Sequence, residues 1–135
     1  MKFKIDTEPP TATAQEKKIR IVNGSPIFYE PPKLKAARKL LTAYLNLYKP
    51  KKPMQGPVLL KTRWLFPKGR HHKAGEWRIT RPDTDNLQKM LKDCMTRCGF
   101  WNDDAQVCRE EVEKLWDDEP GGIEIEIHQL EEYHE

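Results

Sequence analysis

The chain has no apolar run approaching the roughly 18 residues that a membrane-spanning helix needs. Its first residues, Met1-Lys2-Phe3-Lys4-Ile5-Asp6, lack the apolar stretch of a signal peptide. A cytoplasmic protein is the expectation. Cysteine is scarce and odd in number: Cys94, Cys98 and Cys108 make a poor disulfide framework. No C-x-x-C pair is present and no His stands at finger spacing, so the thiols read as small, buried apolar side chains rather than as a zinc site. Apolar residues are also few, 37% against 33% charged. Over 135 residues, that supports one domain spanning 1–135 with one core, carrying much ligand-facing surface or completed by a second subunit. Internal repeats and low-complexity segments are absent.

The net charge of +3 conceals a division along the chain. Residues 1–82 carry 19 Lys/Arg and 5 Asp/Glu, a net +14; residues 83–135 carry 5 and 16, a net −11. A basic half suits a polyanion, because each phosphate contact releases counterions. An acidic half repels that polyanion unless cations intervene. A nuclease needs both, with basic residues on the backbone and carboxylates holding metal against the scissile phosphate. Two oppositely charged solvated faces explain the charge equally well.

Lys2 to Ile5 opens a strand, and Pro9 to Gln15 is a turn or loop. Lys18 to Val22, the turn Asn23-Gly24-Ser25-Pro26 and Ile27-Phe28-Tyr29 read as a basic hairpin. Leu34, Ala37, Leu40, Leu41, Tyr44, Leu45 and Tyr48 keep helical spacing, with Lys33, Lys35, Arg38 and Lys39 on the opposite, solvated face. Gly56 to Phe66 reads as a strand. The loop from Pro67 to Arg81 carries Lys68, Arg70, Lys73, Arg78 and Arg81 around one tryptophan, a mixture suited to phosphates and unstacked bases. His71-His72 reads as part of that loop rather than as a metal pair. Leu87, Met90, Leu91, Cys94, Met95 and Cys98 mark an amphipathic helix, with Gly99 as its natural stop. Phe100-Trp101 re-enter the core. Ala105 to Trp116 is ambiguous between helix and strand, and Pro120-Gly121-Gly122 turns into the alternating strand Ile123 to Ile127.

Asp83-Thr84-Asp85-Asn86 stands at the start of the second helix, with Lys89 four residues beyond Asp85 and on its face. If the segment is extended, the two carboxylates point the same way. Asp103-Asp104 follows that helix, whose ~15 residues span about 22 Å. For Asp104 to meet Asp83 the chain must fold back, as a strand antiparallel to the helix. Carboxylates of this kind suit Mg²⁺, which takes hard oxygen ligands and keeps several waters. The ordinary alternatives are an N-cap, an i,i+4 salt bridge and a polar turn. A calcium loop is excluded, because Gln88 replaces the required Gly and Cys94 the bidentate Glu.

The run Asp83-x-Asp85-Asn86-x-x-Lys89, then a helix, then Gly99-x-Trp101-x-Asp103-Asp104-x-Gln106 resembles, without a gap, the motif pair of the RusA family of Holliday junction resolvases. The resemblance is carried by residues 81–130. It thins over 1–80, where Pro9-Pro10 is similar to a proline pair of the family. It implies an α+β fold, with a small mixed sheet and two main helices in a homodimer, and makes Ala105 to Trp116 a strand. It further implies Asp83, Asp85 and Asp104 as metal-binding catalytic carboxylates, Lys89 as an essential lysine and Asp103 as an accessory position. The activity implied is resolution of four-way DNA junctions by paired nicks with Mg²⁺, or Mn²⁺ in its place, in recombination and repair of host or phage DNA. A non-catalytic branched-DNA-binding module with a structural metal ion is the alternative.

Overall fold

A computed structural model of the chain describes residues 1–12 and 18–132. The end of the loop read at 9–15 lies outside them. Six strands and two helices follow in the order β1 (Lys2–Ile5), β2 (Lys18–Val22), β3 (Ser25–Tyr29), α1 (Pro32–Asn46), β4 (Val58–Pro67), α2 (Thr84–Cys98), β5 (Val107–Asp117) and β6 (Gly122–Gln129). The fold class is α+β, as expected. A mixed four-stranded sheet has the order β1-β6-β4-β5, with β4 and β5 parallel and the other pairs antiparallel. Strands β2 and β3 form a separate hairpin, as their turn residues predict.

Ile123, Ile125 and Ile127 of β6 alternate with Glu124 and Glu126, and all three isoleucines are buried. They meet Leu60, Trp64 and Phe66 of β4 in a core that α1 and α2 close with Leu34, Leu41, Leu45, Leu87, Leu91 and Met95. Strands β5 and β6 are consecutive but do not pair, because β4 runs between them. The Gly121-Gly122 turn therefore crosses the end of β4. A Cβ on Gly121 would lie 2.1 Å from the Leu65 carbonyl oxygen, which explains the glycine.

The strand reading of residues 105–116 holds from Val107 onward, Ala105 and Gln106 belonging to a 3-10 turn instead, and β5 runs antiparallel to α2. Glu110 meets Gln88 and Lys92, while Lys114 reaches the carbonyl of Pro82. Cys94 and Cys98 are buried as expected, and burial raises the pKa of both thiols, which keeps them neutral. Cys108 departs from that expectation and is exposed at the start of β5. Arg38 also departs from its predicted solvated face. It is buried, with Nε 2.9 Å from Glu30 Oε1 and Nη1 3.8 Å from Asp93 Oδ2. Glu30, just before the same helix, and the sequence-distant Asp93 pair with this one basic residue, while Lys33, Lys35 and Lys39 stay exposed.

Candidate active site

Helix α2 begins at Thr84, with Asp83 in the N-cap position at φ −75° and ψ 150°. The Asp83 carboxylate makes no capping hydrogen bond, so capping does not account for it. Only Asp83 is extended. Asp85 already lies in the first helical turn, so the expected shared face for the two carboxylates is not formed. Asp85, Lys89 and Asp104 line one open cleft between α2 and β5, together with Gln88, Lys92, Asp93, Glu110 and Val112. Asp83 stands outside that lining, toward Lys114, whose charge it supports. The chain does fold back antiparallel to α2, but this carries Asp104 to the far end of the helix, beside Asp93 and Arg97, so the expected meeting of Asp104 with Asp83 is not formed. Among the described residues, Asp83, Asp85, Lys89 and Asp104 take part in no ion pair.

A buried polar chain fixes the cleft wall. Gln88 is buried, and its Oε1 accepts from Thr62 Oγ1 at 2.8 Å and from Trp64 Nε1 at 3.1 Å. Its Nε2 donates to Glu110 Oε2 at 3.2 Å, and Lys92 Nζ donates to the other Glu110 oxygen. Both ends of the amide are thus used, which a buried amide requires. Farther along β5, Lys114 Nζ donates to the carbonyls of Thr80 and Pro82, each at 2.7 Å, and so fixes the chain entering α2. Burial, then the neighbouring Arg78 charge, lowers the Lys114 pKa, and Asp83 opposes both. Gln88, Glu110 and Lys114 do not stand out in the sequence. Gln88 alone carried a signal, a polar residue within the apolar stripe of its helix.

The two neighbouring aspartates behave differently. Asp103 Oδ1 accepts from the Ala105 N–H at 2.9 Å and caps the single 3-10 turn Asp104–Gln106. Gln106 Oε1 accepts in return from the N–H groups of Asn102 and Asp103, completing a capping box. Gln106 Nε2 donates to the carbonyls of Met54 and Gly56, tying the turn to the segment before β4. Trp101 is buried and donates to Thr96 Oγ1 at 2.7 Å. Asp103 is thereby occupied in the turn, while Asp104 is presented to the cleft.

The basic loop is held against the outer edge of β5. Gly75 and Arg78 donate their N–H groups to the carbonyls of Trp116 and Lys114, and Trp116 donates to that of Glu76. The Arg78 guanidinium lies 4.2 Å from the ring centre of Phe66 and 4.5 Å from that of Trp116, and it donates to the Arg81 carbonyl. Burial lowers its pKa, with Glu8 opposing. Arg78 therefore holds the loop from within. Lys68 lies 3.2 Å from Asp118, and Arg70, Lys73 and Arg81 are exposed. His72 stacks on Trp116 at 4.0 Å and contacts Glu76, while His71 is exposed.

Among the described residues, no three His, Cys, Asp or Glu side chains are gathered closely enough to hold a metal ion. The donors nevertheless suit a hard divalent cation. Mg²⁺ keeps several waters and needs only one or two carboxylates with substrate phosphate oxygens. Asp85 and Asp104 line one open cleft and take part in no ion pair among the described residues, so the carboxylates of both are available to such an ion.

A family model described as Endodeoxyribonuclease RusA matches residues 8–128. The crossover junction endodeoxyribonuclease RusA of Lactococcus phage r1t is 33% identical over 130 residues, 95% of each chain. The proteins of the same name from Escherichia coli K12 and Enterobacteria phage 82 are each 44% identical over 50 residues, 37% of this chain and 42% of theirs. The similarity thus extends through the N-terminal half, beyond the paired motif.

Proposed function

Because the chain belongs to the RusA family of endodeoxyribonucleases, we propose that it hydrolyses phosphodiester bonds in four-way DNA junctions with Mg²⁺ as cofactor. The observation that carries this reading is one cleft that combines Asp85 and Asp104 with Lys89, none of them held by another partner among the described residues. Asp85 and Asp104 would hold the ion, and Asp83, at the helix start outside the cleft lining, would be the third carboxylate. When bound, such an ion would supply Lewis-acid polarisation of the phosphoryl oxygen and activation of the attacking water. Lys89 stands one helical turn from Asp85, where its ammonium steadies the charge that develops on the phosphate. Water attacks phosphorus, and the bond to the 3′ oxygen breaks. The products are a 5′-phosphate and a 3′-hydroxyl. Arg70, Lys73 and Arg81 hold the backbone. Two copies of the chain, each with one site, make the paired nicks.

The test is cleavage of a labelled four-way junction. Wild type cuts with Mg²⁺ or Mn²⁺ and stops when EDTA is added. Asp85→Asn and Asp104→Asn bind the junction but lose on the order of 10²-fold or more in cleavage, and Lys89→Ala loses a comparable factor. Light scattering should give the mass of two chains. Binding without cutting under both metals would favour a non-catalytic junction-binding module instead.

A further inference from the structure

The basic loop displays two apolar side chains to water. Trp77 is 61% exposed and Ile79 is 93% exposed. The backbone beneath them is hydrogen-bonded to the edge of β5. Trp77 bridges Leu115 of β5, and the hydrogen bonds of Gly75, Glu76 and Arg78 to Trp116 and Lys114 lie on either side. The Arg78 guanidinium between Phe66 and Trp116, and the Lys114 bonds to Thr80 and Pro82, fasten the rest of the loop. A rigid mount for an exposed tryptophan removes much of the ordering cost of stacking it on a partner.

The direction of Trp77 matters as much as its rigidity. Glu110 and Val112 line the cleft from the helix-covered face of β5. Trp77 bridges Leu115, whose odd position puts it on the opposite face. The loop then rounds the strand edge to reach Asp83. One side of the edge carries the acidic cleft; the other carries Trp77 and Ile79. Arg70, Lys73 and Arg81, exposed on the same loop, supply the charge that a polyanion requires. A continuous duplex cannot lie on both faces of a sheet edge, whereas a branched DNA diverges around one.

We propose that Trp77, with Ile79 beside it, is a wedge that stacks on the base exposed at the branch point of a DNA junction while one arm enters the cleft. This rests on the reading that the chain acts on branched DNA. Tryptophan fluorescence tests it. Trp64 and Trp101 are buried and Trp116 is stacked on His72, so Trp77 is the fluorophore best placed to report on DNA. In metal-free buffer, a synthetic four-way junction should quench the emission of the full chain, and Trp77→Leu should abolish that quenching. Trp77→Leu should bind the junction roughly 5- to 100-fold more weakly, the value of one base–aromatic stack, with under about a twofold change for linear duplex of equal length. Circular dichroism matching wild type would show that the variant folds.

Junction binding with unchanged emission, or equal junction affinity in Trp77→Leu, would overturn the wedge and leave the endonuclease reading standing. So would a change from two chains to one in Trp77→Leu, which would make this face a contact between subunits. Failure of wild type to bind or cut any junction would overturn both.

Discussion

Asp103 and Asp104 are adjacent and chemically alike, yet the structure gives them separate work. Asp103 accepts the Ala105 N–H and is locked with Gln106, while Asp104 faces the cleft without a partner among the described residues. Removing each should therefore have opposite consequences. Asp103→Ala should lose about 1 kcal/mol, within the 0.5–2 range for removal of a cap, and melt roughly 3–5 °C lower while still cutting junctions. Asp104→Ala should stay within about 0.5 kcal/mol of wild type and lose cleavage. Melting curves and nicking assays on the two variants decide it, and the reverse pattern would exchange their roles. The resemblance selected Asp104 as a ligand, but a physical reason was also legible. Asp followed three residues later by Gln is the signature of a capping box. The cleft wall was not legible, because Gln88 contacts Thr62, Trp64 and Glu110, up to 26 residues distant in sequence.

At the scale of elements, α1, α2, β4, β6 and the hairpin are readable because their apolar positions repeat with the period of the structure they form. Strand β5 is the exception. Its positions facing the helices are Glu110, Val112, Lys114 and Trp116, and two of these bind Gln88, Lys92 and the Thr80 and Pro82 carbonyls. Polar residues that build the site thus erase the alternation that would announce the strand. Glycines at the ends of elements carry clearer information, and they differ in kind. Gly99 ends α2 at φ 88°, with nothing within 4 Å of an added Cβ. Gly99→Ala should cost only the left-handed conformation, about 1–2 kcal/mol. Gly121 has φ 78° and the Leu65 carbonyl in the way, so Gly121→Ala forces the crossover off β4 and should cost roughly 3 kcal/mol or more. Urea unfolding of the two variants tests the difference; equal losses would mean that contact with Leu65 does not govern the crossover.

For the whole molecule, the division into a basic and an acidic half holds along the chain but not in space. Strand β4, from the basic half, lies between β5 and β6 from the acidic half. Lys61 pairs with Glu111 at 3.6 Å, Arg63 with Glu113 at 3.2 Å, Lys68 with Asp118 at 3.2 Å and Lys2 with Glu126 at 3.9 Å. Part of the +14 is therefore neutralised, by the Lys2, Lys61 and Arg63 pairs on the helix-free face of the sheet and by the Lys68 pair beyond the strand ends, and the cations left for phosphate are fewer than the sequence count implies. Pairs this exposed add little to stability, but they set which cations exchange counterions with DNA. The salt dependence of junction binding separates the two groups. Removing a cation that touches one phosphate lowers the slope of log K against log salt by about 1. Arg70→Ala, Lys73→Ala and Arg81→Ala should each flatten the slope by that amount. Lys61→Ala and Arg63→Ala should leave it unchanged, because their carboxylate partners already hold the charge that a phosphate would take. If all five variants flatten it equally, the DNA reaches past the β5 edge and also contacts the helix-free face around Lys61 and Arg63.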